Sequence, residues 1–479
     1  MPFSDSYAPA PAWQSLGEGF SDEVAPAEFP EHRLRFRHQE WASAIGLGDL
    51  TPDEWTNHFA KFQPLPENLL KPAAVRYHGH QFRSYNPDLG DGRGFLFAQL
   101  RDGQGRLLDL ATKGSGQTPW SRQGDGRLTL KGGVREVLAT EMLEALGVYT
   151  SKSISLFETG ESLWRGDEPS PTRSAVLVRL GHSHVRFGCF QRLAALQEKE
   201  KLAQLLDYAI AHYAPETAAS PDAPSAFLRV VVERSARLCA SWMAAGFVHG
   251  VLNTDNMNVT GESFDYGPWR FVPTYEMGFT AAYFDHQGLY AYGRQPDAVF
   301  WNLQRLAETL IDLSAEEPIR KALDSFAETF FRAYREAMLR RLGLRACGDD
   351  RDADILSLLR AFLEKSGVGY ENFLFDWWGG EASAGRAAAG PSAEFYEHST
   401  FAPLRQSLGT FEPLDAGRLS DDYFAATRPC TMLVEEVESL WDPIAENDDW
   451  TGFDTKVAEI RRMGAILQLG NPSEGVATE

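Results

Sequence analysis

Residues 249–257 read His249-Gly250-Val251-Leu252-Asn253-Thr254-Asp255-Asn256-Met257, and a short mixed stretch leads on to Asp265-Tyr266-Gly267. Asn256 and Asp265 are hard oxygen donors of the kind Mg²⁺ prefers. Asp255 stands directly before Asn256 and is free to take a proton from an attacking hydroxyl. Asn, Asp, Thr and Gly are also ordinary turn residues, so a pair of polar turns is the competing reading. The apolar flanks Gly246-Phe247-Val248 and Val259 favour a buried site over a surface turn.

The order His, Asn, then Asp-x-Gly is that of the nucleotide-and-metal end of a protein-kinase site. There an H-x-D Asp is the base, a following Asn binds Mg²⁺ and a D-F-G Asp holds the metal. Here the position of that base is Val251. The metal pair is present, but the usual base for passing a phosphoryl group to a hydroxyl is not. The chain therefore either binds nucleotide without transfer or does different chemistry with it.

Upstream, Gly90, Gly92 and Arg93 precede an apolar run from Phe95 to Leu100, a turn at Asp102-Gly103-Gln104-Gly105 and a second strand from Leu107 to Thr112. Glycines admit a phosphate close to the backbone and Arg adds a charged fork, although a plain hairpin turn uses the same residues. The second strand ends on Lys113, and a helix fits Gly133 to Leu146 with Glu136 on it. A strand-borne Lys paired to a helix-borne Glu positions phosphates in kinases; taken singly, each reads as a surface residue. Asp125-Gly126-Arg127 reads first as a tight turn. Arg179 and Arg186, with His182 and His184 between them, suit bidentate phosphate capture, and surface ion pairing is the equal alternative.

Strands are expected at 153–157 and 174–179, and helices at 193–211, 225–245, 297–313 and 318–342. Strands first, one helix among them, then helices predict an α+β, protein-kinase-like two-lobed fold. Its expected parts are an N-terminal arm or extension (1–60), a strand-rich N-lobe (61–192), a helical C-lobe (193–345) with the metal and catalytic loop, and a mostly helical C-terminal extension (346–479). Residues 1–35 read as a loose arm ordered, if at all, by docking. The stretch 380–392 reads as a flexible linker or surface loop. Phe375-Asp376-Trp377-Trp378 reads as core or lobe interface.

The 479-residue chain carries 67 acidic against 46 basic residues, a net charge of -21. That argues against a nucleic-acid surface, which needs Lys and Arg. No apolar run approaches the roughly 20 residues of a membrane span. Cys189, Cys239, Cys347 and Cys430 lie far apart without a C-x-x-C, which fits packing roles and a reducing bacterial cytosol.

Across residues 75–310 the chain resembles the selenoprotein O/YdiU family. The segments that carry the likeness are Tyr77-His78-Gly79-His80-Gln81-Phe82, Leu89 to Gly94, Thr112 to Arg122, Gly124 to Arg127, Arg135-Glu136, Val185 to Gly188, His249 to Met257, Asp265 to Pro268, Asp285 to Gly288 and Trp301 to Leu306. The resemblance implies kinase-like proteins that transfer AMP to protein hydroxyls, with ATP bound in reversed orientation. It implies Lys113, Asp125, Gly126, Arg179 and Arg186 around the triphosphate, with Gly90, Gly92, Arg93 and Asp265 also at the nucleotide. Glu136 would orient Lys113, Asn256 and Asp265 would hold Mg²⁺ or Mn²⁺, and Asp255 would accept the proton. The implied partners are ATP and hydroxyl-bearing proteins, this chain included. A γ-phosphotransferase, a silent ATP-binding scaffold and UMP transfer with Mn²⁺ are the alternatives. Lys131-Gly132-Gly133 and Pro273 depart from the family pattern, and so does Ala281 where some relatives carry Cys. The last residues, 471–479, also hold no Cys, so no internal disulfide switch is expected.

Overall fold

The computed structural model describes residues 3–166 and 168–469. Its first part is strand-rich: β1 (Ser21–Glu23), β2 (Arg33–Arg37), β3 (Ala73–Val75), β4 (Gly79–Gln81), β5 (Ser84–Asn86), β6 (Leu96–Arg101), β7 (Leu107–Lys113), β8 (Leu128–Thr129), β9 (Lys152–Leu163) and β10 (Thr172–Gly181). One sheet runs in the order β1-β3-β6-β7-β10-β9-β2, with β8 attached to β10, while β4 and β5 form a separate hairpin. The β6–β7 hairpin closes through Gly105 at φ 77°, and Arg101 pairs Leu107 across it.

Alternation along the strands sends side chains to two cores. Val176 and Val178 join Ala42 of α1 (Gln39–Ala44) and Trp55 and Phe59 of α2 (Pro52–Phe59) on one face. Ala175, Leu177 and Leu156 face α3 (Leu130–Ala145) on the other. The side chain of Thr129 caps α3 by accepting from Gly132 N at 3.1 Å. Gly133 lets the helix lie on the sheet, since a Cβ there would sit 2.5 Å from Leu156 Cδ1. So Lys131-Gly132-Gly133 still begins a capped, closely packed helix.

The rest is mainly helical: α4 (Phe187–Ala195), α5 (Lys199–Tyr213), α6 (Ala223–Ala244), α7 (Gln295–Leu310) and α8 (Glu316–Arg341), then α9 (Arg351–Ser366), α10 (Tyr370–Asp376), α11 (Ala384–Ala389), α12 (Phe401–Leu408), α13 (Val434–Asn447) and α14 (Thr451–Leu467). Between α6 and α7 the short strands β11 (Phe247–Val248) and β12 (Arg270–Phe271) pair antiparallel and bracket the loop bearing Asp255 and Asp265. The α+β layout is the one expected, a strand-rich lobe followed by a helical one.

Two local expectations, the helix over 193–211 and the linker at 380–392, are corrected, and the N-terminal arm proves to be ordered by docking. The helix read over 193–211 is two helices, broken where Gln197 adopts φ 57°. The segment that composition reads as a loose arm is docked into the sheet, with β1 on β3 and β2 on β9. The stretch read as a linker at 380–392 forms a 3₁₀ turn and α11, because Ala387 is buried and Arg386 donates to the carbonyls of Phe375 and Trp378. Small residues there serve close packing rather than flexibility. Trp377 and Trp378 are buried in the core. The chain end at 471–479 lies outside the described residues. Among the described residues no helix is long and apolar enough to cross a membrane.

Candidate functional site

A cleft of about 730 Å³ is walled by Lys113 and Arg179 from the sheet and by Val251, Asp255 and Asp265 from the loops that follow α6. Gly90, Gly92, Arg93, Asp125, Gly126, Arg186 and Asn256 also border it. The residues singled out from sequence thus converge on one space, except Glu136, which acts from behind.

Lys113 ends β7, and Glu136 lies on the buried side of α3. The Lys113 ammonium donates to Glu136 Oε1 and meets Asp265 Oδ1 at 2.7 Å. It is pinned between two carboxylates, one from each half of the cleft. Arg179 Nη1 lies 3.5 Å from Asp265 Oδ1, and Arg186 Nη1 lies 3.6 Å from Oδ2. Burial alone would raise the pKa of Asp265, but Lys113, Arg179, Arg186 and Arg93 outweigh it and hold the carboxylate well below its usual range. Its backbone takes φ 62°, uncommon for a residue with a Cβ.

Asp255 sits in a 3₁₀ turn, Thr254–Asn256, and only 8% of it is exposed. Its Oδ1 is buried without a hydrogen-bond partner. Burial pushes its pKa up to about 6, against the pull of Arg186 and of its own backbone N–H and with a push from Asp265. Asn256 Nδ2 donates to Val251 O at 2.9 Å, which turns the amide oxygen to the opposite side.

Arg186 precedes α4 and is almost fully buried. It donates to the backbone oxygen of Asp255 at 2.8 Å and stacks between Tyr77 and Phe264, at 4.7 and 4.8 Å from their ring centres. Its other arm reaches Asp91 Oδ1 at 3.4 Å. Asp91 also accepts from Val75 N at 3.1 Å and lies 2.7 Å from His184 Nε2. Sequence patterning assigns no role to Asp91, His184, Tyr77 and Phe264, although Asp91 is a lone carboxylate between Gly90 and Gly92 and both Tyr77 and Asp91 fall in segments that carry the family likeness. His182 turns away to Glu262, at 2.9 Å.

Two expectations acquire a different physical cause. Gly90 and Gly92 are required by the protein itself: a Cβ on Gly90 would lie 2.4 Å from the Trp120 ring, and one on Gly92 would lie 2.8 Å from the Trp120 carbonyl. Asp125-Gly126-Arg127 is indeed a turn, with Asp125 accepting from Arg127 N at 2.9 Å and pairing with Arg165 at 2.8 Å, and it borders the cleft as well.

Basic side chains outnumber acidic ones along this wall in a chain of net charge -21. Arg179 Nη1 is a buried donor without a hydrogen-bond acceptor. Such a place can take a polyanion. The two carboxylates are suited to different tasks, since one is kept charged among cations and the other is poised to exchange a proton.

Comparison with known proteins places the chain in a family. The family model described as protein adenylyltransferase SelO matches residues 5–461. The protein nucleotidyltransferase YdiU of Gloeobacter violaceus is 46% identical over 469 residues, covering 95% of each chain. Its counterpart from Synechocystis is 44% identical over 467 residues, covering 94% of this chain and 97% of that one. A Pseudomonas putida counterpart is 38% identical over 363 residues, covering 75% of this chain and 73% of that one.

Proposed function

The chain belongs to the protein adenylyltransferase SelO family, and from that premise we propose that it moves AMP from ATP to Ser, Thr or Tyr hydroxyls of proteins, its own included. Membership makes it a protein nucleotidyltransferase. The AMP group, the hydroxyl acceptor and the direction in which ATP lies are our reading of the cleft.

The observation that carries the reading is the contrast between Asp255 and Asp265. ATP lies with its β- and γ-phosphates toward Lys113, Arg179 and Arg186, where Arg179 Nη1, paired with Asp265 at 3.5 Å but without a hydrogen-bond acceptor, can donate to a phosphate oxygen. The α-phosphate then faces Asp255. The free Oδ1 of Asp255 takes the proton of the acceptor hydroxyl, whose oxygen bonds to the α-phosphorus. The bond from the α-phosphorus to the bridging oxygen breaks, and pyrophosphate leaves into the cationic end. Val251 tolerates its place because the reacting phosphorus is elsewhere.

The donor set fits a divalent ion: Asn256 offers an amide oxygen and Asp265 a charged carboxylate, and Mg²⁺ commonly takes few protein ligands besides phosphate oxygens and water. Bound there, it would neutralise phosphate charge. Mn²⁺ with UMP is the variant that nucleotide competition separates.

The test is label transfer from α- and γ-labelled ATP with Mg²⁺, to the protein itself and to a generic acceptor. Protein-bound α-label that is lost in Asp255→Ala and Asp265→Ala is the expected result. Label only from the γ position overturns the reading in favour of a phosphotransferase.

A further inference from the structure

The β4–β5 hairpin turns on Phe82 and Arg83, and both hold left-handed backbone, with φ 48° and 65°. A two-residue turn with positive φ at both positions is ordinarily made of Asn and Gly. A Phe-Arg pair is strained there, and such strain persists where surrounding contacts over-determine it, often at ligand-holding sites. The contacts are specific. His80 N donates to Thr254 Oγ1 at 2.7 Å, and Phe82 N donates to Asn253 Oδ1 at 3.1 Å. Tyr290 Oη donates to the same Asn253 oxygen at 2.8 Å. Asn253 and Thr254 belong to the loop that carries Asp255, and Gln81 and Asn253 are themselves walls of the cleft. The strained tip is therefore tied to the Asp255 end of the site.

What the tip presents is apolar. Phe82 is 38% exposed, Phe284 42% and Tyr283 74%. Phe82 lies 5.9 Å from Phe284 and 5.0 Å from Tyr290, and Tyr283 lies 5.1 Å from Phe284, so the rings are contiguous. Scattered exposed aromatics need no explanation, but a connected group tied through Asn253 to the loop that carries Asp255 points to recognition. Arg83 and Arg294 are both exposed beside it. Arg83 lies over the Trp301 ring, and Arg294 donates to the carbonyls of Gln287 and Gly288; among the described residues neither pairs with a carboxylate.

Resting on the transfer reaction above, we propose that this surface docks the acceptor polypeptide. A bulky apolar side chain close to the modified hydroxyl seats on Phe82, Tyr283 and Phe284, and acidic flanking residues face Arg83 and Arg294. The occupant follows from the place: a protein hydroxyl has to reach Asp255, and the chain on either side of it must cross what borders Asp255.

The experiment uses the full chain and two peptide pools with a central Ser, Thr or Tyr and acidic flanks. One pool carries Leu or Phe within three residues of the hydroxyl, and the other carries Ser there. Transfer from α-labelled ATP is measured for the wild type and for Tyr283→Ser/Phe284→Ser. Crosslinking of a photoreactive Phe analogue at the apolar position is mapped in parallel, without nucleotide. We expect at least a tenfold preference in kcat/KM for the apolar pool. In the double variant that preference disappears through a raised peptide KM, while the KM for ATP stays within twofold. Crosslinks are expected at residues 82–85 and 283–284. Transfer that ignores both the apolar residue and the double substitution overturns the docking surface and leaves nucleotidyl transfer standing. Crosslinks at these residues with no α-label moved would overturn the transfer reaction and leave the docking surface. Neither label nor crosslink overturns both.

Discussion

Arg461 of α14 donates two hydrogen bonds, each 2.7 Å, to Glu141 of α3, 320 positions earlier in the chain. Glu141 shares its helix with Glu136, which holds Lys113. Lys131, at the start of α3, meets Glu438 of α13 at 2.6 Å. Gly464 lets α14 close on Ala145, where a Cβ would stand 3.1 Å away. The last two helices thus hold α3, and through it the Lys113–Glu136 pair, against the sheet.

Arg461→Ala leaves Glu141 buried, with His38 Nε2 at 3.2 Å as its remaining ion-pair contact among the described residues. Stranding a buried, hydrogen-bonded polar group costs on the order of 1–3 kcal/mol. The expected outcome is a lower unfolding midpoint and a several-fold lower kcat for label transfer. Adding Glu141→Gln to Arg461→Ala should restore part of the midpoint, because the stranded charge is gone. Thermal denaturation and single-turnover transfer check both.

Lys113→Met removes the cation shared by Glu136 and Asp265. Transfer should fall by about a hundredfold or more, in line with the loss of a preorganised charge at a reacting phosphate. Glu136→Gln keeps the cation and loosens its aim, so its loss should be smaller and appear mainly in kcat. Steady-state kinetics with varied ATP separates the two.

Asp255 makes transfer pH-dependent. Its carboxyl titrates near 6, so kcat/KM should rise with pH through that value as the base form appears. The same shift bears on stability. Between the ordinary 3.8 and about 6 the folded state keeps a proton that the unfolded state has lost, so stability falls as pH climbs through that window. The penalty is on the order of 3 kcal/mol at neutral pH. Asp255→Asn should abolish transfer and melt higher than wild type at pH 7.5. At pH 4 the gain should vanish, and scans at the two pH values check this.

Asp91→Asn weakens the anchor of Arg186 while leaving a side chain of the same shape. A loosened Arg186 should raise the KM for ATP about tenfold, with a smaller change in kcat. Isothermal titration of ATP and Mg²⁺ into wild type and variant measures the binding part directly.

Much of this was legible in the residues. The strand ending on Lys113, the helix bearing Glu136 and the turns at Asp125 and Asn256 follow from patterns a few residues long. The two-lobe order followed because strand periodicity of 2 gives way to helical periodicity after β10. The same local reading failed at Gln197, where a left-handed residue breaks the helix, and at 380–392, where packing of Ala387 decides the outcome; at residues 21–37 it left open what the arm docks on, which pairing with β3 and β9 decides.

By itself, then, the amino-acid order determined which chemical groups exist and which local element carries each, because helix and strand patterning are short-range effects. It could not decide what each charge faces. Arg179 and Arg186 had equal claims as surface ion pairs and as phosphate ligands until folding set them around Asp265, with Asp91 behind Arg186. Asp255 and Asp265 are the same side chain, and only their surroundings drive their pKa values apart. Burial and the field of neighbouring charges are properties of three-dimensional distance, and the tertiary structure alone supplies those distances.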